Sequence, residues 1–78
     1  MTITLLTFAQ AREFFGASER TLTVPEGLTA AAVLDTVRAG WREALPGSRV
    51  AIDLEYADWE QPLRDGQTLA VIPPVSGG

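Results

Sequence analysis

Cysteine and histidine are both absent from this sequence of 78 residues. Without cysteine the chain has no disulfide framework and no thiol nucleophile, and without both residues it has no Cys/His zinc site. The lack of histidine also excludes a Ser-His-Asp triad. Because the usual side chains for catalysis and metal binding are missing, we expect a protein that is not itself an enzyme and that binds no metal or other cofactor.

Basic residues and long apolar runs are also scarce. The six basic residues are all arginine, and ten acidic residues bring the formal net charge to −4. Nucleic-acid binding requires a basic face, so we expect no nucleic-acid partner. No stretch approaches the ~20 apolar residues of a membrane span, and no charged and apolar leader is present. Together with the lack of cysteine, this predicts a soluble cytoplasmic protein that does not enter membranes.

Carboxylates are plentiful, but they do not form a recognisable site. Asp53 and Glu55 lie two residues apart, as do Asp58 and Glu60. Two carboxylates on one strand face can divide acid and base roles when their environments differ. No calcium loop or glycine-rich phosphate loop accompanies them. We therefore interpret both pairs as solvated surface.

The remaining pattern predicts one domain over residues 1–78. Apolar positions from Ala30 to Leu45 recur at helical spacing, with Thr29 as N-cap and Gly40 tolerated inside the helix. In a strand over residues 49–54, alternation predicts Val50, Ile52 and Leu54 on the same face. The predicted order is strand 1–8, short helix 9–15, strand 20–24, long helix 30–45, strand 49–54, irregular segment 55–62 and strand 68–72.

Two strand pairs separated by one long helix predict an α+β fold, with the helix packed on one face of a mixed sheet. The first and last strands can lie side by side and parallel at the centre of the sheet, joined by a right-handed crossover. This is the β-grasp, or ubiquitin-like, arrangement. Because its C-terminal strand is central, the chain end would project from the middle of the sheet.

The chain ends in an unusual segment, Pro73-Pro74-Val75-Ser76-Gly77-Gly78. Proline lacks an N–H and stops strand pairing, and glycine has no side chain to obstruct a narrow cleft. We therefore predict a flexible tail at 74–78 that enters a site on a partner, with the Gly78 carboxylate as the reacting group. An ordinary frayed terminus is the alternative.

Three apolar residues near strand ends form a candidate docking surface: Phe8, Tyr56 and Ile72. The sheet face without a helix must be either polar or covered by another protein, although core packing is the alternative for each residue. Arg12, beside Glu13, is a further candidate for partner binding, with a surface ion pair as its alternative. We expect Trp59 in the core.

Three stretches form motifs: Phe8-Ala9-Gln10-Ala11-Arg12-Glu13; Val50-Ala51-Ile52-Asp53 with Glu55-Tyr56; and Pro62-Leu63-Arg64-Asp65-Gly66 followed by Leu69-Ala70-Val71-Ile72-Pro73-Pro74-Val75-Ser76-Gly77-Gly78. Together they resemble the small subunits of molybdopterin synthase, a family of ubiquitin-like sulfur carriers. The resemblance covers essentially the whole chain, and the closing motif is specific. Asp53 departs from the asparagine usual in that family, and Gln67 from a common acidic residue.

The resemblance implies a non-catalytic subunit that acts as a protein co-substrate of a sulfurtransferase. An adenylyltransferase resembling ubiquitin-activating enzymes would use ATP and Mg²⁺ to adenylate Gly78. A sulfur donor, a persulfide, would then convert Gly78 to a thiocarboxylate. The tail would insert into the large synthase subunit and deliver sulfur to cyclic pyranopterin monophosphate. The family's assembly is a heterotetramer.

Other functions remain open at this point. The chain could be a sulfur carrier for thiamin or tungsten cofactor synthesis, although thiamin carriers usually lack the Phe8-to-Glu13 motif and the proline pair. It could also be a ubiquitin-like protein modifier that forms an amide between Gly78 and a target lysine. An interaction module with an inert tail is the least favoured.

Overall fold

Five strands and three helices make up residues 1–74, which are the residues that the computed structural model describes. The predicted tail residues Val75, Ser76, Gly77 and Gly78 lie outside this range. None of the helices within it combines the length and apolar character needed to cross a membrane. In chain order the elements are β1 (Thr2–Thr7), α1 (Ala9–Phe15), β2 (Glu19–Thr23), α2 (Ala30–Val37), α3 (Trp41–Ala44), β3 (Arg49–Ile52), β4 (Glu55–Ala57) and β5 (Thr68–Ile72).

The strands form one mixed sheet in the order β2-β1-β5-β3-β4. β1 and β5 are parallel neighbours, with Leu5 opposite Leu69. The outer pairs are antiparallel, and β3 meets β5 with Arg49 opposite Ile72. This order confirms the predicted α+β, β-grasp fold with the C-terminal strand at the centre. The end of β5 is therefore held by hydrogen-bonded neighbours on both sides.

The hydrophobic core lies between the sheet and the helices. Alternate residues of the strands point into it because successive side chains of a strand face opposite sides of the sheet. On the two central strands these residues are almost fully buried: Ile3, Leu5, Leu69 and Val71. Burying one such side chain contributes about 1.5–3 kcal/mol. The helices complete the core with Ala11, Phe15, Ala30, Val33, Leu34 and Trp41.

The predicted helix over residues 30–45 is divided in two. Its start is confirmed, since the Thr29 hydroxyl accepts from the Ala32 N–H at 3.2 Å. However, α2 ends at Val37, and Gly40 adopts φ +87° at the start of α3. This left-handed conformation interrupts the α-helix and is readily accessible to glycine. The prediction of one long helix was therefore wrong at Gly40, although two helices still cover the same face.

The break in the helix coincides with a tryptophan cluster. Trp41 begins α3, is buried, and donates from Nε1 to Asp35 Oδ1 at 2.7 Å. Its ring centroid lies 4.5 Å from that of Trp59. Trp59 is half-buried and packs against the core, as expected. The cluster ties α3 to the segment between β4 and β5.

The predicted strand over residues 49–54 ends two residues early. Asp53 and Leu54 have φ of +50° and +72° and form a two-residue turn between β3 and β4. The prediction that Leu54 shares the face of Val50 and Ile52 was wrong, because its side chain is 95% exposed. Two hydrogen bonds join the turn to the first residue of β5. The Asp53 N–H donates to the Thr68 carbonyl and the Thr68 N–H donates to Asp53 Oδ1, both at 2.9 Å. β4 lies in the segment predicted to be irregular.

The conformation of Gly40 makes a prediction about stability. In a continuous helix, Gly40→Ala would stabilise the protein by about 0.8–1 kcal/mol. At φ +87° the substitution should instead lower the free energy of unfolding by about 1–2 kcal/mol. Urea unfolding followed by circular dichroism measures the difference. Gly27→Ala is the matched reference, since Gly27 has φ +82° and equally open surroundings. A gain of stability in Gly40→Ala would contradict the helix break.

Candidate functional site

The sheet face opposite the helices is the candidate functional site. Successive side chains of a strand point to opposite faces of the sheet. The residues next to the core residues in the central strands, such as Leu6, Ala70 and Ile72, therefore lie on this second face. These three side chains are half-buried rather than covered. An apolar depression of about 320 Å³ lies on this face. Its lining residues are Leu6, Phe8, Ala51, Leu54, Tyr56, Thr68, Ala70 and Ile72.

The structure brings together the three residues predicted to form a docking surface. Phe8 immediately follows β1, Tyr56 lies in β4 opposite Ala51, and Ile72 ends β5. All three line the depression. Phe8 and Tyr56 are 50% and 63% exposed, which excludes the alternative that they pack in the core. Their role in binding a partner remains a prediction, but their geometry suits one.

Several residues of this surface were missed by the sequence analysis. Ala51 and Ala70 were not singled out because small side chains give little apolar signal. Leu54 was assigned to the opposite face. Strand periodicity could have found Leu6 and Ala70, since they share the parity of Phe8 and Ile72 along their strands. Leu54 could not be found this way, because the turn at residues 53–54 ends the alternation.

One arginine borders the depression. The guanidinium carbon of Arg49 lies 4.3 Å from the centroid of the Tyr56 ring, a cation–π contact worth about 0.5–1 kcal/mol at an exposed site. Arg49 pairs with Ile72 in the sheet, so its positive charge lies at the end of the face from which the chain leaves. The contact restrains the Tyr56 ring and places a positive charge at this rim of the depression.

Arg12, the fourth predicted partner-binding residue, lies elsewhere. It is exposed on α1, where it borders a separate shallow surface with Ala9, Gln10 and Glu13. The structure therefore does not bring Arg12 into the apolar depression. Any contact of Arg12 with a partner would involve a second surface, and this role remains a prediction.

The predicted reacting group, the carboxylate of Gly78, lies outside the described residues, and only the first part of the tail is described. Pro73 is half-buried and Pro74 is exposed beyond the end of β5. In residues 1–74, no three carboxylate side chains are grouped as ligands for a metal ion. The described body thus has an apolar surface, whose docking role remains a prediction, and a tail that starts at the end of a paired strand.

Comparison with protein families places the chain among small carrier proteins. Residues 5–78 match the model of the ThiS family. A molybdopterin synthase sulfur carrier subunit from Arabidopsis thaliana is 34% identical over 79 residues, which cover 97% of this chain and 82% of that protein. A protein of the same name from Chlamydomonas reinhardtii is 31% identical over 83 residues, which cover 100% of both chains.

Solved structures share the fold. SAMP1 from Haloferax volcanii is 26% identical with a TM-score of 0.77, and the match covers 100% of both chains. A chain in the complex of subunits 1 and 2 of the molybdopterin-converting factor from Helicobacter pylori 26695 is 20% identical with a TM-score of 0.66, again over 100% of both chains. Both comparisons support the β-grasp topology described above.

The exposed Leu54 generates a test of the turn that borders the depression. Leucine at φ +72° is strained, whereas asparagine tolerates this region. Because almost none of the Leu54 side chain is buried, Leu54→Asn should raise the free energy of unfolding by about 1 kcal/mol. Leu54→Ala is the control: it also removes the exposed leucine side chain, but alanine lacks the tolerance of asparagine for this φ and should change stability little. Equal stabilities of the Asn and Ala variants in urea unfolding would show that the turn is not strained.

Proposed function

The chain belongs to the ThiS family, and we propose that it is the sulfur carrier subunit of a molybdopterin synthase. The observation behind this proposal is the match to curated proteins of that name, at 34% identity over 97% of this chain in one case. The family match spans residues 5–78, a range that includes the closing Pro-Pro and Gly-Gly residues. The absence of cysteine and histidine agrees with a carrier whose chemistry is supplied by other proteins.

The proposed chemistry takes place at the Gly78 carboxylate. A carboxylate is a poor electrophile until one oxygen becomes part of a good leaving group. A partner adenylyltransferase of the ubiquitin-activating type would join it to AMP, using ATP with Mg²⁺ and releasing pyrophosphate. The terminal sulfur of a protein persulfide would then displace AMP and form an acyl disulfide. A thiolate would next attack the donor's inner sulfur, so that the S–S bond breaks, a new disulfide forms on the donor and Gly78 is released as a thiocarboxylate. The stabilisation of charge in each step comes from the partner enzymes.

The described body would supply the binding energy for these encounters. Its apolar face carries Phe8, Tyr56 and Ile72, whereas the reacting carboxylate is at the chain end, so recognition and chemistry use different parts of the molecule. Residues 74–78 can extend by about 17 Å, which suffices to reach a recessed site. The acceptor would be the large synthase subunit, which passes the sulfur to cyclic pyranopterin monophosphate. The Helicobacter pylori relative of this fold was solved in a complex of two such subunits.

A second candidate function is that of a ubiquitin-like protein modifier. It is favoured by the likeness to SAMP1, a small archaeal modifier protein, at 26% identity over the full length of both chains. In this case an amine of a target protein, rather than sulfur, would displace AMP from Gly78. Sulfur carriage for thiamin or tungsten cofactor synthesis uses the same loading chemistry and differs only in the acceptor.

The loading step can be tested by mass. Incubation with ATP, Mg²⁺, an adenylyltransferase of this type and a persulfide donor should increase the intact mass by the difference between one sulfur and one oxygen. Deletion of Gly78 should abolish this gain without changing the melting temperature, because the described core ends at Val71. Conjugates of higher mass with other proteins would support the modifier instead. No change in the mass of the full chain would contradict both functions.

The docking surface can be tested by a charge placed on it. Ile72→Glu replaces an apolar side chain of the depression with a carboxylate, and burying this charge together with its cross-strand neighbour Arg49 against a partner is costly. We expect the affinity for the large synthase subunit to fall about tenfold or more, measured by isothermal titration calorimetry. Ala39→Glu is the charge-matched control, since Ala39 is exposed between α2 and α3. Equal affinities of the two variants would place the docking surface elsewhere.

A further inference from the structure

The chain leaves the sheet beside a well-defined turn that precedes β3. In this turn, residues 45–48, the Ser48 N–H and hydroxyl both donate to the Leu45 carbonyl, at 3.3 and 2.7 Å. Pro46 occupies the second position, and Gly47, with φ +78°, occupies the third. This is the residue pattern of a type II turn, which requires positive φ at its third position. Proline and glycine therefore give the turn a defined shape.

The turn lies directly opposite the first residues after β5. The final pair of β3 and β5 joins Arg49 to Ile72 in antiparallel register. Continuing this register by two residues brings Gly47 opposite Pro74. A proline has no N–H to donate, so the hydrogen-bonded ladder cannot extend past Ile72. Pro73 and Pro74 can still accept hydrogen bonds but cannot donate them, so packing becomes more important for restraining the chain beyond this point.

Pro74 lies close enough to Gly47 to contact any side chain placed there. A β-carbon added to Gly47 would lie 3.5 Å from Cβ and 3.7 Å from Cγ of Pro74. The other four glycines in the described part of the chain would place a β-carbon in open space: Gly16, Gly27, Gly40 and Gly66. Among these five glycines, Gly47 is therefore the one whose side-chain position faces Pro74. Pro73 and Pro74 also border a small depression of about 160 Å³ with Leu45 and Pro46.

We propose that the turn at residues 45–48 positions the tail for reaction, with Gly47 as a seat for the Pro74 ring. This inference rests on the proposed function, in which Gly78 reacts inside a partner. The apolar docking surface would set where the body lies on that partner, and the position of Pro74 would set the point from which the tail extends toward it. Gly47 and Pro74 are therefore positioning residues that act on the reacting group through the geometry of the tail.

The test changes Gly47 and leaves the docking surface of Phe8, Tyr56 and Ile72 intact. Gly47→Asn adds a side chain where Pro74 packs, and asparagine is among the residues that best tolerate positive φ. Gly27→Asn is the matched control, because Gly27 has φ +82° and no atom near its added β-carbon. Both substitutions carry a similar backbone cost, but only the first places side-chain atoms against Pro74.

We expect adenylation of Gly47→Asn to show kcat lowered about tenfold, since small misplacements of reacting groups have effects of this size. KM for the carrier should remain close to that of the wild type, because the apolar docking face is unchanged. Gly27→Asn should match the wild type in both parameters, and the two variants should have similar melting temperatures. A purely structural role of Gly47 would lower the melting temperature, and a direct contact of Gly47 with the enzyme would raise KM.

A double-mutant cycle with Pro74→Ala completes the experiment. If Gly47 acts through the Pro74 ring, Gly47→Asn should have little further effect on kcat once that ring is removed. Additive effects, or equal kcat for Gly47→Asn and Gly27→Asn, would overturn the proposal while leaving the carrier function intact. Failure of the wild-type chain to gain sulfur would instead refute the proposed function itself, and the positioning role with it.

Discussion

The parallel pairing of β1 with β5 at the centre of the sheet is the constraint on which the rest of the structure depends. Parallel neighbours cannot be joined by a tight turn, so the intervening chain must cross over and cover one face with helices. β3 then pairs with the other side of β5. Val71 is consequently paired with strands on both sides, Ile72 is paired with Arg49 of β3, and the tail begins at the end of the central strand.

The same pairing gives the sheet two different faces, one packed in the core and one turned away from the helices. Along β5, Leu69 and Val71 point into the core, whereas Ala70 and Ile72 face away from the helices. The small side chains of Ala70 and Ala51 leave space between larger neighbours, and this produces the apolar depression. One period-two pattern thus supplies both the stability of the fold and the surface proposed for docking.

Backbone conformations with positive φ shape the molecule around this sheet. Gly40 turns the chain between α2 and α3 and allows Trp41 to enter the core. Gly47 allows the turn before β3 to lie against Pro74. Leu54 adopts a positive φ without being glycine, at the turn beside the depression. These positions determine where side chains and the tail point, which the hydrophobic pattern alone does not specify.

The sequence by itself determined the class of fold, the central position of the last strand and the apolar residues of the core, because these follow from periodicity over several residues. It also identified Phe8, Tyr56 and Ile72 as apolar residues that need not belong to the core under the helices. Only the tertiary structure decided that the helix breaks at Gly40, that Leu54 is exposed and that Gly47 meets Pro74. A single residue in the left-handed region leaves almost no periodic signal, and the contact of Gly47 with Pro74 exists only because the register of β3 and β5 brings residues from two distant segments together.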